Sequence, residues 1–239
     1  MGKVIMSGIV PNLSEPCPYD PVFANNNWTE IIEACQTNKV PDAWAVGDQK
    51  NMTINGVDYA IDIIGKNHNA YANGSGTAPL TFQFHDLYQT AYPMRSVVPI
   101  GSGWSASDMR NTHLPAILTL MPSEVQAGIK KVSIPTIKAS ENASDRVIVN
   151  GTEKLFLLSE FEVFGVVKYA YAAEGTQYAY YAAGNTSKKK KPGASAPAQW
   201  WLRSASNLNV AYFCQVRDDE GVDANMATAY AYPAPAFCF

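Results

Sequence analysis

Gln199-Trp200-Trp201-Leu202-Arg203-Ser204, followed by Val210-Ala211-Tyr212-Phe213-Cys214-Gln215-Val216 and closed by Phe237-Cys238-Phe239, is the stretch on which the reading of this chain turns. Adjacent tryptophans concentrate more buriable area at one point than any other part of the sequence, so Trp200 and Trp201 read as a core anchor with Arg203 beside them. The run 210–216 is β-branched and aromatic, the composition of a strand, and Asp218-Asp219-Glu220-Gly221 has that of a turn. Residues 222–232 supply a second arm rich in Ala, Asn, Thr and Tyr. Pro233 and Pro235 then stop further ladder pairing, because proline has no N–H to donate. The apolar end that follows reads as a buried closing strand.

Several quoted pieces together carry a family resemblance: Trp200-Trp201-Leu202-Arg203-Ser204, the strand 211–216, Gly221 and Pro235-Ala236-Phe237. Trp104-Ser105-Ala106-Ser107-Asp108-Met109-Arg110 and Leu155-Phe156-Leu157-Leu158-Ser159-Glu160-Phe161-Glu162-Val163 add to it. They resemble a family of unknown function common in gut Firmicutes and their phages. That family is similar to the C-type-lectin-like fold of formylglycine-generating enzymes and of the hypervariable receptor-binding proteins of retroelement-bearing phages. The opening Ile5-Met6-Ser7-Gly8-Ile9-Val10-Pro11 resembles the start of phage-encoded members, and the pieces fall in the expected order over most of the chain. The family closes on a Gly-Val-Arg-Pro-Ala-like motif, whereas Ala231-Tyr232-Pro233-Ala234-Pro235-Ala236 has neither its Gly nor its Arg, so no role of that arginine is carried over. The resemblance implies an α+β fold: a C-type-lectin-like domain over 28–239 with twisted antiparallel sheets, two or three short helices and long loops. An N-terminal arm and linker over 1–27 precede it.

The 239 residues suffice for one sizeable core. With 18 basic against 21 acidic side chains and a net charge of −3, no global field draws the chain to nucleic acid or to an anionic membrane. Charged residues are only 16% and apolar ones 47%, with 13 tyrosines, a lean charged surface that suggests cover within an assembly. The apolar start is broken by Ser7, Gly8 and Pro11, so neither a secretory signal nor a membrane span is expected. Cys17, Cys35, Cys214 and Cys238 lack zinc-site spacing; reduced, buried thiols are the simple reading and a Cys214–Cys238 bridge the alternative.

Along the chain, residues 2–11 read as a short strand, either an arm that pairs with another subunit or a first strand of its own domain. Residues 12–27 read as an extended linker. Trp28, Ile31, Ile32 and Cys35 share a helix face behind Asn27 as N-cap. Met52-Thr53-Ile54, Asn55-Gly56 and the run 57–64 form a hairpin, with Val57, Tyr59, Ile61 and Ile63 facing the core and Asp58, Ala60 and Asp62 facing solvent. Residues 80–84 alternate as a strand. Helices are expected from Trp104, capped by Ser107, through Leu120, and again from Ser123, with a strand over 131–134, a loop over 135–145 and a buried run over 155–158. Lys188 to Lys191 read as a solvated loop tip.

Chemistry is thinly signalled. His68, His85 and His113 lie in different segments without metal-ligand spacing, and His85-Asp86, an imidazole beside a carboxylate, has no nucleophile elbow with it. Asp58 and Asp62 read as a solvated strand face rather than glycosidase acids. Cys214 and Cys238 invite comparison with the paired cysteines of formylglycine-generating enzymes, but nothing adjacent lowers the pKa of Cys214. Asp218, Asp219, Glu220, Asp223 and Asn225 raise a calcium site, yet the spacing is not that of an EF-hand and a polar turn is the simpler reading. No metal or cofactor is therefore expected.

What remains is a binding surface. Tyrosine supplies rigid amphipathic area and Asn and Ser adaptable hydrogen bonds, the physics of antibody paratopes. By the resemblance, Asn207, Asn209, Tyr212, Arg217, Asp219, Asp223, Asn225 and Tyr230 are the candidate ligand-binding residues. The expectation is a non-enzymatic, oligomeric bacteriophage virion protein, assembled in the host cytoplasm. Its partners would be other virion proteins and a host-surface glycan or protein. A capsid or tail decoration protein is the alternative, and a lectin-fold enzyme the third class.

Overall fold

The computed structural model of the protein describes residues 17–97, 103–138, 146–184 and 188–239. The strand expected over 2–11 and the first part of the expected linker lie outside the described residues.

A five-stranded sheet carries most of the core, in the order β1-β2-β3-β12-β7. Strands β1 (Gln49–Ile54) and β2 (Val57–Lys66) form the expected hairpin, with Asn55 at φ 49° and Gly56 at φ 77°. Both turn positions need positive φ, which is why Asn-Gly sits there. β3 (Leu80–Phe84) pairs with β2, and the closing strand β12 (Ala236–Cys238) slots between β3 and β7 (Leu155–Phe156). Phe82 stacks on Phe237 at 5.3 Å and meets Phe239 at 5.2 Å, so the end of the chain is a core strand, as its apolar composition predicts.

Helix α1 (Trp28–Gln36) covers this aromatic cluster. Its start is fixed by a capping box: the Asn27 side chain accepts from the Glu30 N–H, and the Glu30 carboxylate accepts from the Asn27 N–H. α1 packs against α3 (Ser123–Gly128) so closely that a Cβ on Gly128 would lie 2.7 Å from Ile32 Cδ1. Between them in sequence come a 3₁₀ turn (Gly103–Ala106), a π turn (Met109–His113) and α2 (Leu114–Leu120). Ser107 caps the π turn, its Oγ accepting from the Arg110 N–H.

The second sheet, in the order β10-β9-β8, is built from β8 (Trp200–Ala205), β9 (Tyr212–Val216) and β10 (Val222–Met226). Two short ribbons complete the architecture: β4 (Tyr92–Pro93) with β11 (Tyr230–Ala231), and β5 (Val132–Ile137) with β6 (Ile148–Glu153). Helices α4 (Glu160–Phe164) and α5 (Ala179–Ala182) are single turns. The fold is α+β with antiparallel sheets and short helices, and no helix among the described residues is long and apolar enough to cross a membrane.

Several expectations are corrected. Residues 17–27 are not a free linker: Phe23 is buried against Trp28, Trp44 and Phe82. The helices outnumber the two or three expected, because single turns such as α5 are too short for periodicity to reveal. Residues 135–137 are strand, not loop; the carbonyl of Pro135 is used by Arg203, while its missing N–H costs nothing at that point. β6 escaped the sequence reading because it is exposed along most of its length and so has no alternation. The second arm expected over 222–232 splits: after Met226 the chain leaves β9, and Tyr230 pairs with Pro93 instead.

Two substitutions test these contacts in urea denaturation. Gly128→Ala forces Ile32 aside and is expected to cost about 1–3 kcal/mol. Asn27→Ala removes the cap and is expected to cost about 1 kcal/mol, while Asn27→Ser retains most of the stability.

Candidate functional site

The frame of any site here is a buried charge network. Arg203 has no exposed surface, and its guanidinium meets the Glu162 carboxylate in a two-point contact, with Nη2 to Oε1 at 2.8 Å. The same group donates to the carbonyls of Pro135, Leu157 and Glu174. Glu162 also closes the capping box of α4 with Ser159. Glu160, equally buried, accepts from the backbone N–H groups of Lys168, Tyr169 and Ala170. Glu174 accepts from the Thr136 hydroxyl and the Ile137 N–H, and burial raises its pKa against the pull of Arg203.

The eight candidate ligand residues all reach the surface but do not converge. Asn207 and Asn209 lie in the loop between β8 and β9, exposed, near the start of β9 where Tyr212 stands half-buried. Asn225 lies opposite Phe213 at the same end of the β9–β10 hairpin, and Asp223 lies opposite Gln215 toward its turn end. Arg217 and Asp219 form an exposed ion pair at 2.8 Å by the hairpin turn. The turn lies roughly 15 Å from Tyr212, at about 3.4 Å per residue along β9. Among the described residues no three His, Cys, Asp or Glu side chains converge as metal ligands.

Tyr230 stands apart, 73% exposed on β11, and lines a groove of about 590 Å³ with Tyr92, Pro93, Ser96, Asp108 and His113. The His113 ring stacks on Tyr92 at 4.2 Å, and Tyr92 continues a stack through Tyr88 to Tyr59 in the main sheet. Trp201 Nε1 donates to the Tyr92 carbonyl at 2.9 Å, so the tryptophan anchor positions the groove wall. His113 ends the π turn, a local widening that recurs at functional sites. Burial lowers its pKa, which Asp108 partly offsets, so the ring is neutral near pH 7. Hydrogen bonds from Ser96 hold the Asp108 carboxyl below its usual range. Sequence reading missed Tyr92, Asp108 and His113, because β4 is two residues long and its partner lies far along the chain.

A second polar cluster overturns two expectations. Asp62 is not on a solvated face: it is 1% exposed and accepts from His85, Gln49 and Tyr180. Burial alone would raise its pKa, but the bonds from His85 and Gln49 outweigh it and the pKa is lowered. The imidazole of His85 is thus oriented by Asp62 at 2.8 Å, not by its sequence neighbour Asp86. Lys190, from the run read as a solvated tip, is 3% exposed, and its ammonium donates to the Phe84 and His85 carbonyls. Burial lowers its pKa to about 8 against the pull of Asp62 and Asp86. Among the described residues no hydroxyl or thiol is hydrogen-bonded to the other ring nitrogen of His85, so the pair has orientation without a nucleophile.

The cysteines are free. Cys35, Cys214 and Cys238 are buried, whereas Cys17 is exposed. The proposed Cys214–Cys238 bridge is absent, since Cys214 faces Glu160 in one sheet and Cys238 faces Thr81 in the other. Burial and then Glu160 raise the Cys214 pKa, the opposite of what an activated thiol needs.

Residues 86–239, more than half of the chain, match the family described as Domain of unknown function (DUF6273). The chain belongs to the DUF6273 family. No curated protein and no solved structure matches it. The DUF6273 segment contains the whole Arg203 network and every residue of the Tyr230 groove. The β1–β2 hairpin, α1 and β3 precede it, as do Asp62 and His85. The main sheet is therefore completed across the boundary, by β12 and β7 of the DUF6273 segment.

Glu174 gives the network a pH dependence. Its carboxyl keeps its proton to higher pH in the folded protein than in the unfolded chain. Its contribution is therefore complete below the ordinary carboxylate range and is lost as pH rises through the folded value. Urea denaturation across that interval should show wild-type stability falling with pH and a flatter profile for Glu174→Gln.

Proposed function

We propose that this DUF6273 chain is a non-enzymatic bacteriophage virion protein with a C-type-lectin-like domain that binds a host-surface glycan. The phage and lectin-like parts of this reading rest on the sequence resemblance. The single structural observation that supports binding is the groove between β4 and β11. Tyr230 and the stacked Tyr92–His113 pair present aromatic faces, and Asp108 offers acceptor oxygens at the rim. Sugar rings have an apolar face that lies on aromatic rings and hydroxyls that donate to carboxylates, so this combination of flat apolar area with a few fixed polar groups suits them. Its volume of about 590 Å³ accommodates a small oligosaccharide. The β9–β10 hairpin, with Asn207, Asn209, Tyr212 and Asn225 at one end, offers further adaptable contacts beyond the groove.

One observation favours the alternative of a decoration protein held by its neighbours. Val147, Ile148 and Val149 are exposed on and beside the free edge of β6, a surface that a homo-oligomer or another virion protein would cover.

A glycan array, followed by binding to whole host cells, tests the reading. Tyr230→Ala and His113→Ala should each weaken glycan binding about tenfold or more, on the order of 1.4 kcal/mol, with thermal unfolding unchanged for Tyr230→Ala. Tyr212→Ala should weaken it less. A wild-type protein that binds neither glycans nor cells, or a Tyr230→Ala variant that binds as well as wild type, would contradict it.

A further inference from the structure

A second groove, of about 830 Å³, lies on a different part of the molecule and shares no residue with the one at Tyr230. Its lining includes the apolar residues Tyr71, Ala72 and Pro79 and the buried Cys35. Burial pushes that thiol up to about 12, so it is neutral and contributes only shape. The rest of the lining is polar and uncharged except at one place. Gln36, Asn38, Asn73, Ser75, Thr77 and Thr152 supply amides and hydroxyls, and Lys130 and Lys131 supply two positive charges.

Three features make this more than a crease with lysines beside it. No carboxylate lines the groove. Among the described residues neither ammonium has a hydrogen-bond or ion-pair partner, so both charges remain free to meet a ligand. The walls are also fixed in advance. The turn that carries Asn73 and Ser75 is closed by Tyr71 N–H to Gly76 O at 2.8 Å and tied to the lysine wall by Ala72 N–H to Lys131 O at 3.0 Å. Lys130 N–H donates to the Cys238 carbonyl of β12 at 2.9 Å, and the Tyr71 hydroxyl donates to the main-chain oxygen of Phe239, just after β12, at 3.3 Å, so both walls are tied to the same segment. Fixed walls lower the ordering cost that a small ligand must overcome.

We propose that this groove is a separate binding site for a small anionic ligand, a carboxylate or phosphate carried on a polar body of sugar size. The two ammoniums would meet the anion, the amides and hydroxyls of the lining would meet the polar body, and the Tyr71 ring would lie under its apolar face. The volume falls in the usual range for small-molecule sites. The chain as a whole is acidic, so the preference is local to this groove, and it is opposite in sign to the Tyr230 groove, where Asp108 is the charged group of the lining.

The test is a ¹H–¹⁵N NMR titration of the full chain with glucuronate, glucose and inorganic phosphate separately, reading the amides of residues 71–77, Lys130 and Lys131. Saturable shifts at these amides are expected with glucuronate, at a dissociation constant of about 1 mM, and none with glucose at the same concentration. A response to phosphate as well assigns the preference to either anion; its absence narrows the site to carboxylates. Lys131→Ala, at an exposed position that folding does not depend on, should weaken glucuronate binding about tenfold, the usual weight of a charge-assisted bond. Lys130→Ala with Lys131→Ala should abolish it. Equal responses to glucose and glucuronate, no saturable response to either anion up to about 50 mM, or an unchanged affinity in Lys131→Ala would each overturn the proposal.

Discussion

The contact between Arg203 and Glu162 ties β8 to the run of chain from β5 to the loop before α5. A guanidinium with no exposure to water is tolerated only when its donors are met, and here they are met by one carboxylate and the carbonyls of Pro135, Leu157 and Glu174. Those partners belong to β5, the segment after β7, α4 and the loop before α5. One side chain of β8 therefore contacts four parts of the chain at once, and direct bonds such as those from Thr136 and Ile137 to Glu174 add to the same junction. Removal of either charge would leave its partner buried and unpaired, which costs about 3–5 kcal/mol. The neighbouring tryptophans extend the same logic outward. Trp201 holds the Tyr92 carbonyl and Trp200 bridges to Tyr232, so the strand that anchors the core also sets β4 and β11, the two walls of the aromatic groove.

What was legible in the sequence is what depends on near neighbours. Asn55-Gly56 fixed a hairpin because both residues must take positive φ, and Asn27 with Glu30 fixed a helix start because both partners lie within one turn. The buried end of the chain was legible from apolar composition after two prolines. The errors share the opposite cause. Asp62 alternates with outward-facing residues along β2, but it is covered by Tyr180, which is 118 positions away and which no strand pattern anticipates. Lys190 sits in a run of like charges whose other members suggest solvent, yet its ammonium satisfies the Phe84 and His85 carbonyls 106 and 105 positions away. Of the eight candidate residues, Tyr212, Asp223 and Asn225 are half-buried and the other five exposed, and Tyr230 lines the aromatic groove because which surface residues meet is decided by how the ribbons pair.

The sites differ in what they ask of the fold. The Tyr230 groove draws on residues of the DUF6273 segment alone, and its aromatic stack runs back into the main sheet through Tyr88 and Tyr59. The lysine groove is lined from both sides of the segment boundary, by the end of α1 and the 71–77 turn on one hand and by Lys130, Lys131 and Thr152 on the other. The aromatic groove thus stands to be a property of the DUF6273 segment, while the anionic preference depends on what precedes it. The Asp62–His85–Lys190 cluster is read as structure, since its carboxylate is saturated by donors and its lysine caps strand carbonyls rather than facing a cleft.

The measurement that bears most directly on the proposed virion role is a cryo-EM structure of the phage particle that this proposal implies, read for what contacts Tyr230, Tyr92 and His113. The account predicts that this groove and the Tyr212 end of the β9–β10 hairpin face solvent at the particle's periphery, with the β6 edge turned toward neighbouring subunits. A groove filled by side chains of another subunit would contradict it and would make the protein a cement rather than a receptor binder.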